Sequence, residues 1–139
     1  MKFYFLLFIL IFRTSFSWAI DSKAEQAVVL DSLNNEIIFE KNANQKIIPA
    51  SMTKIMTIYV LFDRLNNTQL NISDTCNVSA KAYTTRGSRT FLEVDEQVTI
   101  ADLIRGIVIQ SGNDASVAIA ECLSGTEEDF AKLMNFYAE

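Results

Sequence analysis

Near its start the chain carries two short β-branched stretches, and further on several longer segments whose apolar residues cluster as they do in helices. Gln26 to Asp31 and Glu36 to Glu40 are bounded by polar residues and separated by the turn-forming Ser32-Leu33-Asn34-Asn35, the pattern of a β-hairpin. From Met52 to about Asp63 the sequence is apolar on nearly every side, which predicts a helix buried in the middle of a domain. Pro49 precedes it; a proline fixes its own φ and cannot sit in a helix interior, so an extended approach ending just before Ser51 is expected. Residues 64–98 are mixed and loop-rich, with a turn of helix over Val78 to Tyr83, a polar loop at Arg86-Gly87-Ser88-Arg89 and a short extended piece over Thr90 to Val94. Three helices follow. Thr99-Ile100-Ala101-Asp102 is a capping signature that opens the first, with Leu103, Ile104, Ile107 and Val108 inside. Asn113 or Asp114 caps the second, Ala115 to Leu123, which Ser124-Gly125 ends. Thr126 caps the third, which turns Phe130, Leu133, Met134 and Tyr137 to one face. No repeat, low-complexity stretch or linker interrupts this order, so one domain is expected.

The first residues have a different character. Met1-Lys2 is followed by an unbroken apolar run, Phe3 to Phe12, and then by a more polar stretch in which Ser17 and Ala19 form a small-x-small cleavage site. The run is too short to cross a bilayer, which takes about 20 apolar residues. Residues 1–19 are therefore expected to be a signal peptide, and the mature chain from residue 20 to be exported.

Composition narrows the chemistry. The chain has 139 residues, enough for one modest domain, and a formal charge of −5. No Lys/Arg cluster appears, so binding of nucleic acid through a basic face is excluded. The absence of histidine removes the Ser-His-Asp triad, the Cys-His pair and the histidine zinc motifs together. Hydrolytic chemistry would have to use a lysine, a carboxylate or an oxygen-bound metal; we expect no cofactor and no metal. Cys76 and Cys122 could pair in an exported chain, but the reading preferred from sequence is two separate buried thiols.

Two polar constellations stand out against the apolar helices. Ser51-Met52-Thr53-Lys54 opens the apolar segment, and residues i and i+3 share a helix face, so the Lys54 amine can reach the Ser51 hydroxyl. A hydroxyl beside an amine held neutral is a workable nucleophile and base. Gln110-Ser111-Gly112-Asn113-Asp114 forms the polar break between two helices; Ser111 can relay a proton, and Asn113 offers both an amide donor and an acceptor. Each alone is as readily a helix cap or a connecting turn.

Together, in an exported chain without histidine, Ser-x-x-Lys and a later Ser-x-Asn resemble the penicillin-recognising serine enzymes. Pro49-Ala50-Ser51-Met52-Thr53-Lys54-Ile55-Met56-Thr57, Asp102-Leu103-Ile104-Arg105-Gly106 and Gln110 to Ala115 are similar to the low-molecular-mass D-alanyl-D-alanine carboxypeptidases of the S11 peptidase family. The resemblance covers about residues 24–139. It implies an α/β (α+β) chain of the β-lactamase/DD-peptidase-like transpeptidase fold, a periplasmic or extracytoplasmic location, and a serine-type carboxypeptidase that removes the terminal D-alanine of peptidoglycan stem peptides. Ser51 would be the nucleophile, Lys54 its base, Ser111 the proton relay to the leaving amine, and Asn113 the orienting and substrate-binding amide. The Ser51 backbone N–H would form half of the oxyanion hole, and β-lactams would acylate the same serine. Class A β-lactamases share the fold and the first motif, but their second motif is usually Ser-Asp-Asn, so Gly112 favours the carboxypeptidases.

The family's third motif, Lys-Thr/Ser-Gly, is absent: no lysine of this sequence is followed by Thr-Gly or Ser-Gly. In the family it lies on the order of a hundred residues beyond the second motif. Residues 20–139 are therefore expected to be an incomplete catalytic domain from a truncated or split form, without the sheet strands that pair with the hairpin, and inactive alone. Two alternatives stand beside the enzyme: a non-catalytic remnant or a piece complementing the C-terminal fragment of the same enzyme, and a β-lactamase-related penicillin-interacting protein.

Overall fold

The computed structural model describes residues 20–139, so the expected signal peptide over residues 1–19 lies outside the described residues. The chain divides after Ile47 into two units.

The first unit holds the hairpin. Strand β1, Ala27–Leu30, pairs antiparallel with β2, Ile37–Lys41, in the register Ala27 to Lys41 and Val29 to Phe39, with an irregularity between Val29 and Leu30. Turn chemistry closes it: the Asp31 carboxylate accepts the Leu33 N–H at 2.8 Å, the Asn34 side chain accepts the Glu36 N–H at 2.9 Å, and Asn35 takes the left-handed conformation with φ +57°. Among the described residues the sheet has two strands only, leaving both edges unpaired. Val28, Val29, Leu30, Ile37 and Ile38 are all exposed, so neither face of this hairpin has the cover that a stable sheet needs.

The second unit is mostly helical. A 3-10 turn, Ala50–Met52, leads into α1, Thr53–Asn67. Then come β3, Thr75–Asn77; the short α2, Ala80–Thr84; β4, Gln97–Thr99; α3, Ile100–Gln110; α4, Asn113–Ser124; and α5, Glu127–Ala138. The capping expected at Thr99 and Thr126 is present: each hydroxyl accepts the N–H three residues on, from Asp102 at 3.1 Å and Asp129 at 3.0 Å. Ser79 caps α2 in the same way and donates its hydroxyl to Glu121 of α4 at 2.6 Å. The centre of the unit is α4, in which Asp114, Ala115 and the run Val117 to Ala120 are buried. On one side Ala115, Ala118 and Ile119 join Leu61, Val78, Leu103 and Ile107 in the main core. On the other, Ala120 meets Val60 and Phe130, with Leu133, Met134 and Tyr137 of α5 packed around them as its apolar face predicts. The Tyr137 hydroxyl donates to Asp63, and its ring stands edge-on to Tyr59 with centroids 5.8 Å apart, tying α5 to α1.

Five expectations need correction, the first being that Val108, expected inside α3, is exposed. The apolar helix α1 is not buried all round: only Thr57, Val60 and Leu61 are buried, whereas Ile55 is 73 % exposed and Tyr59 57 %. The small side chains of α4 let its neighbours approach closely, so α4 takes the central place. Pro49 is not extended; φ −73° and ψ −7° put it in the helical region, and the Met52 N–H turns back to its carbonyl at 3.0 Å. Thr90 to Val94 forms no strand, because its first N–H groups are taken by a side chain described below, and β4 forms instead beside β3. Finally, Cys76 and Cys122 form a disulfide, with Cα atoms 5.5 Å apart, rather than remaining separate thiols. Strand β3 places Cys76 directly against α4, a proximity that no local pattern encodes.

Candidate active site

Ser51 sits in the middle of the 3-10 turn, exposed, two residues before Thr53 opens α1. Ala50 ahead of it has φ +48°, a left-handed conformation that costs an L-residue about 1–2 kcal/mol. Strain of this kind concentrates where a side chain has to be held at a fixed angle. The Thr53 N–H is shared between the carbonyls of Ala50 and Ser51, closing the turn. The 3-10 turn runs straight into α1, so the positive end of the helix dipole lies beside this serine.

Lys54 comes three residues later, half-buried, and its amine donates to Asn113 Oδ1 at 2.6 Å. Ser111 ends α3 in a left-handed conformation, φ +55°, and its N–H together with that of Gly112 returns to the Gly106 carbonyl. This turn carries the chain sharply from α3 into α4. Ser51, Lys54 and Ser111 line one cleft of about 330 Å³, walled by Ile55, Ile58, Ile107 and Val108. Lys54 and Asn113 also line a second cleft of about 320 Å³, between α1, α4 and α5, where Thr57, Ser116 and Glu127 supply polar atoms and Phe130 and Met134 an apolar side. All four residues singled out in the sequence thus meet around Lys54, which faces both clefts.

Asn113 is held as well as holding. Its Nδ2 donates to the Arg86 carbonyl at 2.7 Å and its backbone N–H to the Ser88 carbonyl at 2.8 Å. Gly87 between them has φ +94°, and a Cβ there would stand 2.7 Å from Asn113 Nδ2, so this position needs glycine on both counts. The neighbouring Asp114, expected to be a helix cap, is instead fully buried. It accepts N–H groups from Thr90 at 2.9 and 3.0 Å, Phe91 at 2.9 Å and Leu92 at 3.3 Å, as well as from Ala115 at 2.9 Å. Burial pushes this carboxyl up, but the N–H groups of Thr90, Ala115, Leu92 and Phe91 outweigh it and hold it below the ordinary range. Arg89 Nε stands 3.8 Å from it, with the guanidinium over the rings of Tyr83 and Phe91. Sequence alone pointed to none of this, since the N–H groups come from a loop more than twenty residues earlier.

The arrangement brings together two serine hydroxyls, an amine and an oriented amide, without imidazole. Residues 13–139 match the family described as D-alanyl-D-alanine carboxypeptidase, peptidase S11. The chain belongs to the S11 family. It is 42 % identical over 113 residues to the D-alanyl-D-alanine carboxypeptidase DacF of Bacillus subtilis, covering 81 % of this chain and 29 % of the relative. DacC of Escherichia coli is 41 % identical over 118 residues, covering 81 % of this chain and 30 % of that protein. Among solved structures, the carboxypeptidase DacD from Francisella tularensis superposes with a TM-score of 0.82 at 34 % identity, covering 86 % of this chain and 29 % of its own. Penicillin binding protein 5 from Haemophilus influenzae gives 0.82 at 35 % identity, covering 87 % and 36 %. This S11 chain therefore has the DD-peptidase-like mixed helix-and-strand fold over the 86–87 % of its length that these structures match, and it spans roughly 30 % of the length of the curated relatives it matches.

Proposed function

We propose that this chain is the nucleophile-bearing part of a serine D-Ala-D-Ala carboxypeptidase, acting outside the cytoplasm on peptidoglycan stem peptides. The observation that carries the reading is the meeting of Ser51, Lys54 and Ser111 on one cleft, with the Lys54 amine held by Asn113 at 2.6 Å. In the proposed reaction Ser51 Oγ attacks the carbonyl between the two terminal D-alanines while the Lys54 amine takes the hydroxyl proton. The Ser51 N–H, in the turn ahead of α1, donates to the developing oxyanion. The carbon–nitrogen bond then breaks, and a proton returned from Lys54 through Ser111 leaves with the amine of free D-alanine. Water hydrolyses the acyl ester and restores Ser51. A β-lactam ring would open on the same serine by the same first step.

Activity is proposed for the assembled catalytic domain rather than for these residues alone. The Lys-Thr-Gly motif, which in the resemblance supplies a second oxyanion donor and a carboxylate-binding cation, does not occur in this sequence. The bare hairpin and the outward apolar face of α1 support a partner: the C-terminal segment of the same enzyme, supplying the remaining strands. Incubating the chain with a fluorescent penicillin, with and without a polypeptide carrying that segment, tests this reading. Labelling only of the mixture, abolished by Ser51→Ala and strongly reduced by Lys54→Ala, is expected. Labelling of the chain alone at Ser51 would overturn the need for a partner. Failure of the mixture to label would favour a non-catalytic remnant.

A further inference from the structure

The buried carboxylate of Asp114 has no part in the proposed reaction, yet it is the residue after Asn113 and is tied to the same loop. Both oxygens are occupied. Thr90, Phe91 and Leu92 present three successive N–H groups to it, and the left-handed φ of +64° at Phe91 curls the backbone into the concave nest that such groups form around an anion. The loop carrying them begins at Arg86, whose carbonyl accepts Asn113 Nδ2 at 2.7 Å. Thr90 locks the middle of the same loop. Cβ atoms added at Gly106 or Gly112 would stand 2.6 and 2.3 Å from its hydroxyl, so it occupies the notch those two glycines leave.

The consequence concerns which way the Asn113 amide faces. An amide can turn over and exchange its oxygen for its NH2 group. Here the Arg86 carbonyl accepts from Nδ2, which obliges Oδ1 to face the Lys54 amine, 2.6 Å away. Turned over, the amide would set its own donors against the amine and its oxygen against a carbonyl. We propose that Asp114 is a positioning residue for Lys54: it latches the Arg86 to Leu92 loop, the loop fixes the Asn113 amide, and the amide holds the amine. The importance of the latch for catalysis rests on Lys54 being the base of the proposed reaction; the latch itself does not. Arg89 is the charged group that faces the carboxylate, from the loop, and the adjoining positions, Gly106 on α3, Gly112 in the turn between the helices and Ala115 on α4, carry no charge.

Nuclear magnetic resonance of the isotopically labelled full chain tests the relay without turnover. On acidification, the Thr90, Phe91 and Leu92 amides, the Asn113 side-chain amide and the Lys54 amine resonances are expected to shift together, with one midpoint below the aspartate range of about 3.9. The core amides of Leu103 and Ile119 should not shift with them. In Asp114→Asn the same signals should sit at their acid positions at neutral pH and lose this transition, and exchange of the Asn113 backbone N–H should rise about ten-fold. If the loop amides of the wild-type chain titrate while the Asn113 and Lys54 signals stay still, the relay is overturned. An Asp114→Asn variant with an intact core and unmoved Asn113 signals overturns it too. Should that variant fail to fold, the wild-type titration decides alone. Penicillin labelling at Ser51 tests the catalytic reading separately, so the two can fail independently.

Discussion

Two helices meet at the Lys54–Asn113 hydrogen bond, and they treat their side chains in opposite ways. Helix α1 is rich in large apolar residues, yet Ile55, Tyr59 and Phe62 along it are exposed. Helix α4 is built largely of alanine, serine and valine, yet nearly every residue from Asp114 to Ala120 is buried. Hydrophobicity marks surface that gains from being covered, at about 25 cal/mol per Å². The position at the centre is set by how closely neighbours can approach, and short side chains allow the closest approach. Helix α4 should therefore be intolerant of substitution, and the outward face of α1 tolerant.

The largest effect is expected at Asp114. Replacing it with alanine leaves the buried Leu92 N–H and the partly buried Thr90 and Phe91 N–H groups without their acceptor, at about 1–3 kcal/mol for each fully buried group, so urea unfolding should show a loss on the order of 3 kcal/mol. The same carboxylate predicts a pH dependence. Its folded pKa lies below its unfolded one, so its contribution is complete above the unfolded value of about 3.9 and is lost as pH falls through the lower, folded value. Acid unfolding of the wild-type chain should be steep in that window and shallower in Asp114→Asn. Next in size is the disulfide at the far end of α4, which closes a separation of 46 residues; reducing it should cost about 2–4 kcal/mol, read as a shift in thermal midpoint with and without reductant. Gly112→Ala should cost about 1–3 kcal/mol, because the new Cβ meets the Thr90 hydroxyl at 2.3 Å. Adding Thr90→Ala should recover part of this, with a coupling of at least about 0.5 kcal/mol in a double-mutant cycle. The smallest effect belongs to α1: Ile55→Gln should change stability by less than about 0.5 kcal/mol. A loss well beyond that would mean the face is covered in solution, and the contrast between the helices would fail.

Much of the site was legible from the chain because its chemistry is local. Ser51 and Lys54 lie one turn apart, Ser111 and Asn113 share one connecting loop, and the capping residues Thr99 and Thr126 act within four positions of themselves. The features that escaped depend on distant partners. Asp114 looks like a cap because Asp is common there, and only the fold brings the Thr90 to Leu92 N–H groups to it. The exposed side of α1 looked buried because its apolar residues were read without knowing what stood opposite them. The family resemblance pointed to the same residues, but it carried no information about the Arg86 to Leu92 loop that holds Asn113.

The disulfide has one further consequence. The segment it closes, from Cys76 to Cys122, contains Ser111, Asn113, Asp114 and the loop that orients them, whereas Ser51 and Lys54 lie outside it. A covalent boundary thus runs between Ser51 and Lys54 on one side and the residues that hold the Lys54 amine on the other. In a partly opened chain the disulfide would keep Ser111, Asn113 and Asp114 within one closed segment, while Ser51 and Lys54 are tied to that segment by non-covalent contacts alone.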